Sequence, residues 1–147
     1  MQAIRATRQK FSVKDPRGAQ LRSGRWHYEG QPILYCGSSL SLVVLEQRVN
    51  TVTFDEIRED FHFANIELAQ IQIERAPEAC YKGDWTDDIE RTRDFGTVWA
   101  KSRRSLVLEV RSAVLPVEWN YLINTAHPDF AQIQFSEPKP VPLDDRL

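Results

Sequence analysis

The stretch SGRWHYEGQPILYCGSSLSLVVLE, residues 23–46, decides the fold because it passes from strand to helix across one short turn. Within it, Pro32-Ile33-Leu34-Tyr35-Cys36 is an apolar run between Gly30 and Gly37, which predicts a buried strand bounded by turns. Ser38 or Ser39 can then cap the free amides of a helix from Leu40 to Val49. Leu42, Leu45, Glu46 and Val49 share one helical face by their spacing, while Leu40, Val43 and Val44 fill the neighbouring face. Glu46 therefore falls in or beside an apolar stripe. A carboxylate there either reaches water or a structural ion pair at the edge of the stripe, or it meets a cation in a cleft. Pattern alone leaves both readings open.

Outward from this segment, Ile66 to Ile73 alternates apolar and polar residues and predicts a strand. Leu106 to Val110 predicts another, with Leu106, Leu108 and Val110 facing one way. Asp87 to Ala100 between them reads as a helix whose end is weakened by Gly96. Residues 121–124 and 130–135 read as further short strands, and Pro138, Pro140 and Pro142 make the C-terminal tail extended. The sum is an α+β domain with several non-local strands. A chain of 147 residues, 41% hydrophobic and 27% charged, is long enough for one sizeable core.

The longest apolar run, around Leu40 to Leu45, falls far short of the roughly 20 residues a spanning helix needs. The expectation is a soluble cytoplasmic protein without membrane attachment. Cys36 and Cys80 stand alone, outside any CxxC and away from any His at ligand spacing, and are expected to be reduced core thiols with no zinc site. A net charge of -2 makes no case for nucleic acid as the main partner. It conceals an asymmetry, because residues 1–25 carry seven basic side chains against Asp15 alone. That segment reads either as a solvated first stretch or as a basic arm for phosphates or an acidic partner.

Ser23-Gly24-Arg25-Trp26 sets a permanent cation beside the largest aromatic side chain, a pair suited to gripping a pyrophosphate beside a flat ring, although such pairs are more often surface packing. Ser112 lies just past the strand ending at Val110, where sheet rims meet ligands and where turn serines are also usual. His27, His62 and His127 have no evident nucleophile partner, and G-x-S-x-G, P-loop and G-x-G-x-x-G motifs are missing. Serine hydrolase, NTPase and dinucleotide-fold dehydrogenase readings are thereby disfavoured. The acidic group Asp84, Asp87, Asp88 and Glu90 is better explained as a solvated face than as a metal or glycosidase site.

A series of short motifs then falls in order along the chain. It runs through Gly18-Ala19, Ser23-Gly24-Arg25-Trp26, Gly30 with Pro32-Ile33-Leu34-Tyr35, Leu45-Glu46, Trp85, and Gly96 with Trp99. It continues with Ser112-Ala113-Val114, Asn120 to Asn124, His127-Pro128-Asp129-Phe130 and Asp144-Asp145-Arg146-Leu147. In this order and spacing the chain resembles the RES domain, the toxin half of bacterial toxin–antitoxin pairs. The likeness treats residues 1–147 as one domain and is weaker over the basic segment 1–17.

The resemblance implies an ADP-ribosyltransferase-like fold, a split, twisted β-sheet core with flanking helices whose cleft holds NAD. It implies Arg25, Tyr35 and Glu46 as catalytic residues, and Trp26, Ser112 and Asn124 as residues binding NAD. Glu46 would stabilise the oxocarbenium character that develops as the nicotinamide–ribose bond breaks. Arg25 would pair with the pyrophosphate or a phosphate cosubstrate, and Tyr35 would offer a ring face and a donating hydroxyl. The implied activity is NAD degradation with water or inorganic phosphate as acceptor, with no bound cofactor or metal. A protein ADP-ribosyltransferase on the same scaffold is the first alternative, and a catalytically idle antitoxin-binding module is the second. The implied partner is an Xre-type antitoxin, which would itself bind DNA, with a homodimer expected inside the complex. Three positions depart from the family pattern: Ser23 for the first glycine of G-G-R-W, His27 for the usual Asn, and Arg111 for the Pro before the serine. For Arg111, phosphate binding and a solvent-facing position are both open.

Overall fold

The computed structural model describes all 147 residues. One mixed sheet organises the chain. Its strands are β1 (Gln2–Arg8), β2 (Ile33–Gly37), β3 (Phe61–Glu67), β4 (Ile73–Arg75), β5 (Val107–Arg111), β6 (Trp119–Asn124), β7 (Gln134–Phe135) and β8 (Lys139–Pro140). They lie in the order β4-β5-β6-β2-β1-β3-β7, with β8 also paired to β3. Only β4 and β5 run parallel; the other pairings are antiparallel. The sheet is split. Strand β2 is in full register with β6 from Ile33 to Gly37, and β1 with β3 from Gln2 to Arg8, but β1 and β2 meet only at Ile4 and Gly37.

Helices α1 (Arg17–Leu21), α2 (Leu40–Val49), α3 (Phe54–Asp60) and α4 (Ile89–Ser102) complete the fold, with short 3-10 turns at Glu78–Tyr81 and Phe130–Gln132. Two apolar clusters form on either side of the seam between the sheet halves. Val43 and Val44 of α2 and Ile57 of α3 pack over Ala6 and Phe61 on the β1–β3 side. Trp99 and Ala100 of α4 pack with Trp26 over Ile33, Leu108, Val110 and Leu122 on the other side. A third cluster, including Leu34, Cys36, Val107, Tyr121 and Ile123, holds the alternate residues of the same strands. Strand β5 is therefore buried on both faces, and Leu106 lies in a different cluster from Leu108 and Val110.

The strand at Ile33 and the helix from Leu40 to Val49 stand where the sequence puts them, with Ser39 as the cap accepting from the Leu42 amide at 3.1 Å. The helix presents a different face, however. Leu42, Val43 and Val44 are buried while Leu45 and Val49 are exposed, so Glu46 is not held in an apolar stripe. The choice between the two faces was made by β1, which offers Ala6 to Val43 and Val44.

Three further expectations are corrected. Residues 66–73 do not form one strand: β3 ends at Glu67, a turn follows, and β4 begins at Ile73. Gly96 does not weaken the end of α4, which runs on to Ser102. A Cβ at Gly96 would lie 1.7 Å from the Trp26 carbonyl oxygen, so glycine is what lets the helix touch that backbone. The basic first segment is not a free arm, because β1 is an inner strand of the sheet. The Arg5 guanidinium donates to the carbonyls of Val13, Tyr35 and Asp15, and burial lowers its pKa. Cys36 and Cys80 are buried in separate clusters. No helix is long and apolar enough to cross a membrane.

Candidate active site

A cavity of about 380 Å³ opens at the seam between the two helix-bearing halves, within the usual range for a small-molecule site. One wall is α2, which contributes Val43, Glu46 and Gln47. It can turn back so tightly after β2 because Gly37 has no side chain. A Cβ there would lie 2.8 Å from Val43 Cγ2. The opposite wall is the Ser23 to Trp26 loop with Arg93 of α4, and the floor carries Tyr35 and Asn120 from adjacent strands.

Glu46 is fixed by two donors on one oxygen. Its Oε1 accepts from Ser112 Oγ at 2.7 Å and from Asn120 Nδ2 at 2.7 Å. Ser112 is fully buried just beyond β5, and its hydroxyl also accepts the amides of Val114 and Leu115 at 3.1 and 3.0 Å. The two amides set the direction of the hydroxyl hydrogen, and the carboxylate accepts its hydrogen bond. Glu46 Oε2 has no protein donor, so one oxygen is anchored and the other is free for a ligand.

Two guanidiniums face this carboxylate across the cavity without forming an ion pair to it. Arg25 donates to the Thr86 carbonyl at 2.7 Å, and Arg93 donates through Nε to the Gly24 carbonyl at 2.7 Å. Neither has an acidic partner, whereas Arg8, Arg91 and Arg104 are each tied to carboxylates. Burial first, and then the like charge of Arg93, lower the pKa of Arg25. Two like charges held together by carbonyls make an electropositive wall suited to a dianion. Arg93 escaped the sequence reading. A lone arginine in a helix gives no signal until α4 is placed against the Gly24 loop.

Arg111 borders the cavity, but its guanidinium lies over the rings of Tyr81 and Trp119, 3.7 Å from Glu78. That is a packing role at the sheet edge. Tyr35 lines the floor, its phenol pKa pushed up by burial. Its oxygen accepts the Trp26 amide at 3.1 Å and lies 2.7 Å from His27 Nδ1. His, Cys, Asp and Glu side chains nowhere gather in threes as a metal site.

A RES domain model matches residues 2–144. The chain belongs to the RES-domain family. Toxin Res of Photorhabdus laumondii is 35% identical over 130 residues, covering 86% of this chain and 83% of that protein. The Prs ADP-ribosylating toxin of a Sphingobium species is 31% identical over 116 residues, covering 76% and 72%. Among solved structures, a chain of the M. tuberculosis MbcT–MbcA toxin–antitoxin complex matches with a TM-score of 0.74 at 15% identity, over 95% of this chain and 83% of that one. This RES domain thus has the ADP-ribosyltransferase-like α+β fold, and its split sheet is the form that fold takes here.

The structure gathers Arg25, Tyr35 and Glu46 of the RES domain around one cavity, with Ser112 bonded to Glu46. It does not bring Asn124 there. Asn124 is fully buried at the far end of β6, donating to the Ala100 carbonyl and accepting the Ala126 amide, at 2.9 and 3.0 Å. The asparagine at the carboxylate is Asn120, four residues earlier on the same strand face. Trp26 borders the cavity with the rest of its loop, but it is 1% exposed, its ring packed against Tyr81, Trp85 and Phe95, so the ring supports the Arg25 loop from beneath and offers no stacking surface.

Proposed function

We propose that this RES domain is the toxin of a toxin–antitoxin pair and that it cleaves the nicotinamide–ribose bond of NAD, with water or inorganic phosphate as acceptor. One observation carries the reading. Glu46, anchored through Oε1 by Ser112 and Asn120 with Oε2 free, faces the unpaired guanidiniums of Arg25 and Arg93 across one cavity.

When the bond from the ribose anomeric carbon to the nicotinamide nitrogen breaks, its electron pair leaves with nicotinamide and the sugar gains oxocarbenium character. A carboxylate fixed beforehand stabilises that charge without reorganising, which is the role of Glu46. Arg25 and Arg93 neutralise the pyrophosphate and hold the ribose in place. The Tyr35 ring packs against nicotinamide or ribose. An oxygen of water or phosphate then bonds to the anomeric carbon, and a proton is released. The products are nicotinamide with ADP-ribose or ADP-ribose-1″-phosphate.

The names of the relatives support the toxin reading, and the structural neighbour, solved with an antitoxin, supports an antitoxin as this chain's partner. We take that partner to be of the Xre type. Chromatography of purified chain with NAD, with and without phosphate, tests the chemistry: nicotinamide release with one of these sugar products is expected, and intact NAD under both conditions refutes it. A protein ADP-ribosyltransferase is the second reading, favoured by the Sphingobium relative that bears that activity in its name. A discrete labelled band from labelled NAD in a lysate would select it. NAD loss without a band selects the first.

A further inference from the structure

His27 has no surface of its own in the cavity, being 1% exposed, yet it is bonded to a residue that does. Its Nε2 lies 2.8 Å from the Ala19 carbonyl oxygen and its Nδ1 2.7 Å from Tyr35 Oη. A carbonyl only accepts, so Nε2 carries a proton. In the neutral ring Nδ1 then offers a lone pair, and the Tyr35 hydroxyl must be the donor. The same hydroxyl oxygen accepts the Trp26 amide. Gly24 makes this closure possible, because a Cβ there would lie 2.6 Å from Tyr35 Oη and 2.9 Å from His27 Cε1.

We propose that His27 is a positioning residue, which accepts a hydrogen bond from the Tyr35 hydroxyl and so presents Tyr35 to the bound ligand as a hydrogen-bond acceptor with a fixed ring. The inference rests on the NAD reading and sharpens it. With its proton committed, Tyr35 meets a donor on the substrate, a ribose hydroxyl or a carboxamide N–H, and does not meet a phosphate oxygen. The groups facing His27 are Arg93 from α4, Tyr35 from β2, the carbonyl of Ala19 from α1 and that of Arg22 just after it. Burial foremost, and the Arg93 charge, hold the imidazole neutral to a pH below its ordinary value of 6.5, against the pull of the carbonyls. On protonation Nδ1 becomes a donor, the bond to Tyr35 reverses, and the phenol O–H, still bearing its hydrogen, is free to turn toward the cleft as a donor.

Nitrogen-15 NMR of the full chain at neutral pH tests the core of the proposal without any variant. The expected spectrum has His27 protonated at Nε2 and bare at Nδ1; a proton on Nδ1 overturns it. In turnover, H27F is expected to lower kcat by about 10- to 100-fold while the KM for NAD changes less than about threefold, the cost of a mispositioned group. H27N, whose Oδ1 can accept the hydrogen bond from the Tyr35 hydroxyl and does not titrate, is expected to restore most of kcat and to remove the fall in kcat at low pH that protonation of His27 causes in the wild type. Full kcat in H27F refutes the proposal, and so does a loss from H27F that is as large in a Y35F background as in the wild type. If the wild type releases no nicotinamide, the NAD reading falls, and the NMR result still decides the His27–Tyr35 arrangement.

Discussion

Ser112→Ala removes one oxygen, and the structure states what that oxygen does. The hydroxyl donates to Glu46 Oε1 at 2.7 Å and accepts the amides of Val114 and Leu115. A hydrogen bond to a charged group contributes about 1.5–3 kcal/mol. The two amides belong to a partly exposed loop where water can replace the hydroxyl, so they add little. A loss of about 2–3 kcal/mol corresponds, for a domain of this size, to a fall in Tm of roughly 4–12 °C. Glu46 keeps its Asn120 bond but loses the donor that fixes its second direction, and kcat for NAD is expected to fall about 10- to 100-fold. Differential scanning calorimetry and steady-state NAD turnover read the two effects separately. Asn120→Ala is expected to mimic the kinetic effect, and the double variant to fall short of the product of the two, because both act through one carboxylate. A variant with lowered Tm and full kcat would refute the reasoning, since Ser112 would then be only a turn residue.

Gly96→Ala places a methyl 1.7 Å from the Trp26 carbonyl oxygen and is expected to cost about 3 kcal/mol or more, seen as a lowered midpoint in urea. Asn124→Ala strands the Ala100 carbonyl and Ala126 amide and is expected to lower stability by about 2–4 kcal/mol, while kcat per folded molecule stays unchanged. Arg93→Gln is expected to raise the KM for NAD about tenfold or more, and Arg111→Gln, whose charge sits over Tyr81 and Trp119, less than about threefold. The pH dependence of stability has a defined sign. The pKa of His27 is lowered on folding, so below about pH 6.5 the unfolded chain takes up the proton first and stability falls with pH until the folded value is passed. Thermal melts of wild type and His27→Asn at about pH 7.5 and 5.5 check it, the variant losing less.

The parts of this fold that were legible in sequence are the locally determined ones. Helix α2 was readable to its ends because Ser39 caps it and because Gly37 stops the strand before it. Its inward face was not, since Leu42-Leu45-Val49 and Leu40-Val43-Val44 satisfy the same periodicity and only β1 chooses between them. Strand β1 was hidden for a related reason. Its fully buried residues are Ala3 and Ala6, small side chains in a strand that also carries Arg5 and Arg8, so an inner strand reads as a basic segment. In the site, Arg25, Tyr35, Glu46 and Ser112 were found through motif order, which spacing along the chain preserves. Asn120 and Asn124 share a face of β6, and nothing local distinguishes the one at the carboxylate from the one bridging α4 and the loop after β6. Arg93 becomes visible only with the helix in place.

The most direct test of the central claim is the time course of nicotinamide release from NAD by purified wild-type chain beside Glu46→Gln, a change that keeps the shape of the anchored side chain and removes its charge. The account predicts steady release by the wild type and a loss of at least about 100-fold in the variant at unchanged fold, the size expected for removing a principal electrostatic stabiliser. Equal release by both would contradict it, because the charge of Glu46 would then play no part in breaking the bond.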